Sequence, residues 1–187
     1  MNKKTTLLLL FAVTAGLHLL FPAAMIFRQE RTLKTGERVL VKTQPVDPYD
    51  VLRGRYVALD YEQNRINQPG HGFKRRQLAY AQYSLDEQGF ATVTNLVAKA
   101  PGGPSLPVRV SWVNGAQVNY QFTFNRYFLN EKIAPEAEAA YFRMNRGGKT
   151  NAWVVVRAGK GRAVLEDLVL DGKSVMDYLE AEADKAP

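Results

Sequence analysis

Val46-Asp47-Pro48-Tyr49-Asp50-Val51-Leu52-Arg53-Gly54-Arg55-Tyr56-Val57-Ala58-Leu59-Asp60-Tyr61-Glu62 opens as a turn and closes as a strand. Asp side chains hydrogen-bond nearby backbone amides, Pro48 fixes φ, and together they suit a tight turn. From Arg55 the residues alternate: Tyr56, Ala58 and Asp60 share one face, and Val57, Leu59 and Tyr61 share the other. A turn that feeds a half-buried strand marks a β domain. Within it, Arg53 is placed to pair with Asp47 or Asp50. Alternation sends Tyr56 and Tyr61 to opposite faces, so Tyr56 stays with the charged turn and Tyr61 belongs to the core.

Moving outward, the same pattern recurs. Arg38–Thr43, Gln77–Tyr83, Phe90–Val97, Pro107–Val113, Ala116–Phe124, Asn151–Arg157 and Ala163–Leu170 read as strands. Asp86–Gly89 and Gly159–Gly161 read as hairpin turns, and Asn114-Gly115 reads as a type I′ turn with φ > 0 at both positions. Pro135–Met144 is an Ala/Glu-rich helix with Pro in its first turn. Ser174 is placed to N-cap a closing helix from Val175 to Ala183. The fold expected is α+β: an antiparallel β domain over residues 38–187 with one or two helices.

In front of that domain lies a different segment. Residues 1–4 are basic, and Thr5–Phe27 carries no formal charge. As a helix those 23 residues would span roughly 34 Å, enough to cross a hydrocarbon core. A cleaved signal peptide competes with this reading, but Pro22 and Phe21 are poor residues at the position three before a cut after Ala24 or Ala23. An uncleaved anchor is therefore expected at residues 5–27, with a basic juxtamembrane linker at 28–37. His18 inside it would face a partner or snorkel. Lys3 and Lys4 favour a cytoplasmic N-terminus, whereas Arg28, Arg31, Lys34, Arg38 and Lys42 weigh the other way. A basic start before an apolar run is an export signal, so the domain is expected outside the cytoplasm.

The eight residues Gly54–Tyr61 resemble the signature of the GDYXXLXY family, bacterial proteins without an assigned biochemical function. Gly54, Tyr56, Leu59 and Tyr61 match, and Arg55 stands where the family has Asp. Asn125-Arg126-Tyr127-Phe128 with Glu131 is similar to a second family block, and the stretch from Gly161 to Gly172 to a third. The resemblance spans roughly residues 38 to 173 in blocks and implies an extracytoplasmic domain on the bacterial inner membrane.

Composition narrows the chemistry. The chain of 187 residues has no Cys and two His, which excludes disulfides, thiol nucleophiles and cysteine metal sites. No metal site or cofactor is expected. The net charge of +7 is read as attraction to anionic headgroups and not as a nucleic-acid footprint. His71, in a Gly-rich loop, is expected to be solvated. The anchor and the strand that follows are similar in layout to type I signal peptidases, yet no Ser stands where their nucleophile would be. Two readings follow. One is a noncatalytic module for another membrane or envelope protein, with Asp47, Asp50, Arg53, Gly54, Tyr56, Leu59, Tyr61, Arg126, Tyr127 and Glu131 as candidate binding residues. The other is a binder of, or enzyme on, anionic envelope polymers through Lys74, Arg75, Arg76, Lys160 and Arg162.

Overall fold

The computed structural model describes residues 2–44, 56–145 and 151–184. Asp47, Asp50, Arg53 and Gly54 therefore lie outside the described residues. The first element, α1 (Lys3–Thr35), contains the whole apolar segment and continues through the stretch expected as a linker. Leu7, Leu8, Leu9, Leu10 and Phe11 are consecutive and all exposed, so every azimuth of this helix is apolar. A helix apolar all round belongs in a membrane or a deep core, and none of its apolar window is covered by the domain. His18 Nδ1 donates to the Thr14 carbonyl at 2.8 Å, so this ring nitrogen is satisfied within its own helix.

The chain leaves α1 at Gly36 and enters β1 (Glu37–Gln44) at once. Thr32 is buried against the sheet, and Gly36 makes that approach possible. A Cβ at Gly36 would stand 2.5 Å from the Thr32 carbonyl oxygen and 3.1 Å from the Ala158 carbonyl oxygen. The helix thus reaches the domain without a spacer.

The motif strand breaks in two where regular alternation suggested one. β2 (Tyr56–Ala58) pairs with β9 (Arg126–Phe128), and β3 (Asp60–Tyr61) pairs with β1. Leu59 is the hinge between the two sheets, its N–H bonded to the Asn125 carbonyl at 3.0 Å. The burial alternation survives the break: Val57, Leu59 and Tyr61 are core residues, and Tyr56, Ala58 and Asp60 are half-buried.

Two five-stranded antiparallel sheets enclose the core. The first runs β12 (Lys173–Ser174), β11 (Arg162–Leu170), β10 (Ala152–Gly159), β1, β3. The second runs β4 (Arg65–Asn67), β8 (Gln117–Phe122), β7 (Leu106–Asn114), β5 (Leu78–Leu85), β6 (Ala91–Val97). Both contribute to one continuous cluster that includes Val39, Val154, Leu168, Val108, Tyr120 and Phe122. Tyr83 Oη donates to Glu37 Oε2 at 2.6 Å and ties the sheets at their rim. Helix α2 (Ala134–Asn145) buries Ala137, Ala140 and Tyr141 on one stripe, and Tyr141 Oη donates to the Gln44 carbonyl at 3.0 Å. The α+β architecture expected from the sequence is the one observed.

Three local readings are corrected. The β7–β8 loop residues are Gly115 and Ala116, because Asn114 pairs with Gln117. Only Gly115 has positive φ, at 58°, which fits a II′ turn and not I′. Ser174 does precede α3 (Val175–Ala183), but its hydroxyl makes no cap and donates to Asp167 Oδ1 at 3.1 Å. His71 is not simply solvated. Its ring stacks on Phe73, Nδ1 accepts the Phe73 N–H at 2.8 Å, and Nε2 lies 3.2 Å from the Gly115 carbonyl.

The second sheet closes on itself through side chains. Gln63 donates to the Ala91 carbonyl and accepts from the Val93 N–H, at 3.2 and 2.7 Å. Gln68 does the same for Leu96, at 3.0 and 2.9 Å. Flanking β4, these two amides stand in for a backbone ladder along the outer edge of β6. An edge that would otherwise be unpaired is thereby removed. Replacing both glutamines with alanine is expected to destabilise the protein by about 1–3 kcal/mol per orphaned backbone group that water does not reach. It should also speed amide exchange at Val93 and Leu96 selectively; unchanged exchange there would contradict the role assigned to the glutamines.

Candidate functional site

Tyr56 and Phe128 stand directly opposite each other in the β2–β9 ribbon, with ring centroids 5.7 Å apart, edge to face. Arg126, diagonally across, lays its guanidinium 5.0 Å above the Tyr56 ring. Alternation along β9 puts Arg126 and Phe128 on the outer face and turns Tyr127 inward. The result is an exposed aromatic–cation cluster in which Phe128 keeps 68% of its surface in contact with solvent.

Tyr127 does different work. Its hydroxyl donates to Asp167 Oδ1 at 3.2 Å, and the same oxygen accepts from Ser174 Oγ and from the Leu168 N–H. Asp167 therefore joins β9, β11 and the start of α3. Burial, then the neighbouring Asp167 carboxylate, pushes the Tyr127 phenol up to about 12.

Of the remaining motif residues, Tyr61 and Leu59 lie in the core. Tyr61 is 2% exposed and donates to the Phe124 carbonyl at 2.6 Å, packed edge-on against Phe122 and Phe124. Its phenol is raised well above the ordinary value, first by burial and then by Tyr141 and Asp60. Leu59 is buried beside it. Glu131 lies exposed in the turn that leads to α2.

The family model described as GDYXXLXY protein matches residues 18–168. The chain belongs to the GDYXXLXY family. No curated protein and no solved structure matches it. The match takes in the second half of α1 and the β domain as far as β11, and so begins twenty residues before Arg38. Over Tyr56–Tyr61, the described part of the GDYXXLXY signature, the chain crosses from the β2–β9 ribbon to the first sheet. Leu59 and Tyr61 fix the crossing, and Tyr56 is left facing out.

A cleft of about 600 Å³ opens beside the aromatic–cation cluster. Its lining includes Gln29 of α1, Asn125, Arg126 and Phe128 at β9, and Ala163–Leu165 with Glu166 of β11. Arg157 grips Glu166 from below with two hydrogen bonds, at 2.7 and 3.0 Å, so the acidic charge in the cleft is already matched. Phe128 and this cleft escaped the sequence reading, although the strict alternation of Arg126, Tyr127 and Phe128 carries the signal for the first.

Among the described residues, no hydrogen bond joins a serine to a lysine or histidine side chain, and no group of three or more His, Asp or Glu converges. The two groups of basic residues considered for polymer binding stand on different sheets, one before β5 and one on the β10–β11 hairpin.

Because the neutral phenol is the form favoured in the fold, Tyr127 contributes its stabilisation in full below pH 10 and loses it as pH climbs from 10 toward 12. Tyr127→Phe should cost about 0.5–1.5 kcal/mol at neutral pH through the lost hydrogen bond. Its stability should also fall less steeply than the wild type's above pH 10, as read by denaturant melts; parallel curves would show that Tyr127 does not titrate in this way.

Proposed function

We propose that the protein is a single-pass membrane protein whose β domain works, without catalysis of its own, as an accessory or interaction module for another membrane or envelope protein. The observation that carries this reading is α1. A run of large apolar side chains exposed on every side of a 33-residue helix is untenable in water and ordinary in a bilayer. The same helix then meets the sheet through Thr32 and Gly36, which holds the domain against the membrane surface and not at the end of a tether.

The basic residues at the N-terminus support a cytoplasmic start, with the domain on the extracytoplasmic side of a bacterial inner membrane. The partner would be met by Tyr56 together with Asp47, Asp50, Arg53 and Glu131. An aromatic ring under a guanidinium is the sort of group that dominates recognition surfaces. Leu59, Tyr61 and Tyr127 act behind this face as its scaffold, and nucleic acid and cofactors have no part in it.

Purification of the tagged full-length chain from its own membranes in mild detergent should bring down a stoichiometric membrane or envelope protein. Tyr56→Ala or Arg53→Ala should remove that companion while the circular dichroism spectrum is kept. A solitary wild-type chain, or a companion indifferent to both substitutions, would overturn the assignment.

A further inference from the structure

We propose that the cleft between α1, β9 and β11 holds the headgroup of an anionic phospholipid from the bilayer that α1 crosses. The proposal rests on the reading of α1 as a membrane anchor. Phe27 ends the apolar run, and Gln29, the helix residue that lines the cleft, rises only about 3 Å beyond it. The headgroup layer is roughly 5–8 Å thick on each side of the hydrocarbon core, so the cleft opens at headgroup depth.

Its chemistry fits that depth. Glu166 is matched by Arg157, which leaves Arg126 as the uncompensated charge among the lining residues. Arg126 lies over the Tyr56 ring, and among the described residues no hydrogen bond or ion pair takes up its guanidinium N–H groups, which leaves them to a phosphate. Phe128, largely exposed, and the lining residues Ala163, Val164 and Leu165 give the cleft apolar surface for the glycerol end of the lipid.

The test uses the full-length chain in mild detergent, offered equal amounts of phosphatidylglycerol and phosphatidylcholine and read by native mass spectrometry. The wild type should retain phosphatidylglycerol preferentially. Arg126→Ala should weaken that preference about fivefold, the loss of one basic contact, and Phe128→Ala should weaken it as well. A wild type without preference overturns the proposal whatever the variants do. So does full displacement of the lipid by millimolar inorganic phosphate, which would mark a site for the free ion. Variants that keep the lipid preference but lose a protein companion would likewise overturn it and give the cleft to that companion. Carbonate extraction of the same membranes separates the two readings: release of the wild type refutes the anchor, whereas retention with unchanged lipid preference refutes the cleft alone.

Discussion

The close packing of the last turn of α1 on the first sheet sets where the anchor meets the β domain. Thr32 is buried, and the Gly36 N–H bonds back to its carbonyl at 2.8 Å. With no side chain at Gly36, the chain turns from helix into strand within one residue. The strand it enters, β1, is an interior strand of the first sheet, paired with β10 along most of its length and with the two-residue β3 at its end. A helix joined in this way to an interior strand has no spacer on which to pivot, and the cleft at the β2–β9 ribbon has Gln29 of the same helix in its lining.

The second constraint is the crossing at Leu59. A strand that changed sheets without a fixed hinge would slip in register and turn every side chain over. Here the Leu59 backbone bond to Asn125, the buried Tyr61 hydroxyl and the aromatic cluster of Phe122 and Phe124 fix the crossing from three sides. That accounts for the signature as architecture: two of its matched residues build the hinge, and Tyr56 is what the hinge presents. Asp167 plays the matching role from the other side, since one carboxylate oxygen gathers donors from β9, β11 and the residue before α3.

Much of this was legible in the sequence, for reasons of local physics. The apolar run of α1, the alternation in β1, β5, β7 and β10, and the Ala-rich stripe of α2 are periodic signals that burial then enforces. Tyr61 could be assigned to the core and Tyr56 to the surface from alternation alone. The parts that stayed hidden depend on residues far apart in the chain. Gln63 and Gln68 look like ordinary polar loop residues until β6 lies beside them. Ser174 has a capping residue's position, but Asp167 competes for its hydroxyl. The cleft needs Gln29, Phe128 and Leu165 together, and no periodicity announces that meeting.

The rigid junction is open to one direct measurement. Because the chain has no cysteine, single spin labels can be placed at Lys34 on α1 and at Glu87 at the β5–β6 turn, both exposed, in full-length protein in lipid nanodiscs. Pulsed electron-resonance distances between them should form one narrow distribution, unchanged by the length of the lipid chains. A broad or multimodal distribution would mean that the helix and the domain move independently, and would contradict the claim that the domain is held at the membrane surface by its own anchor.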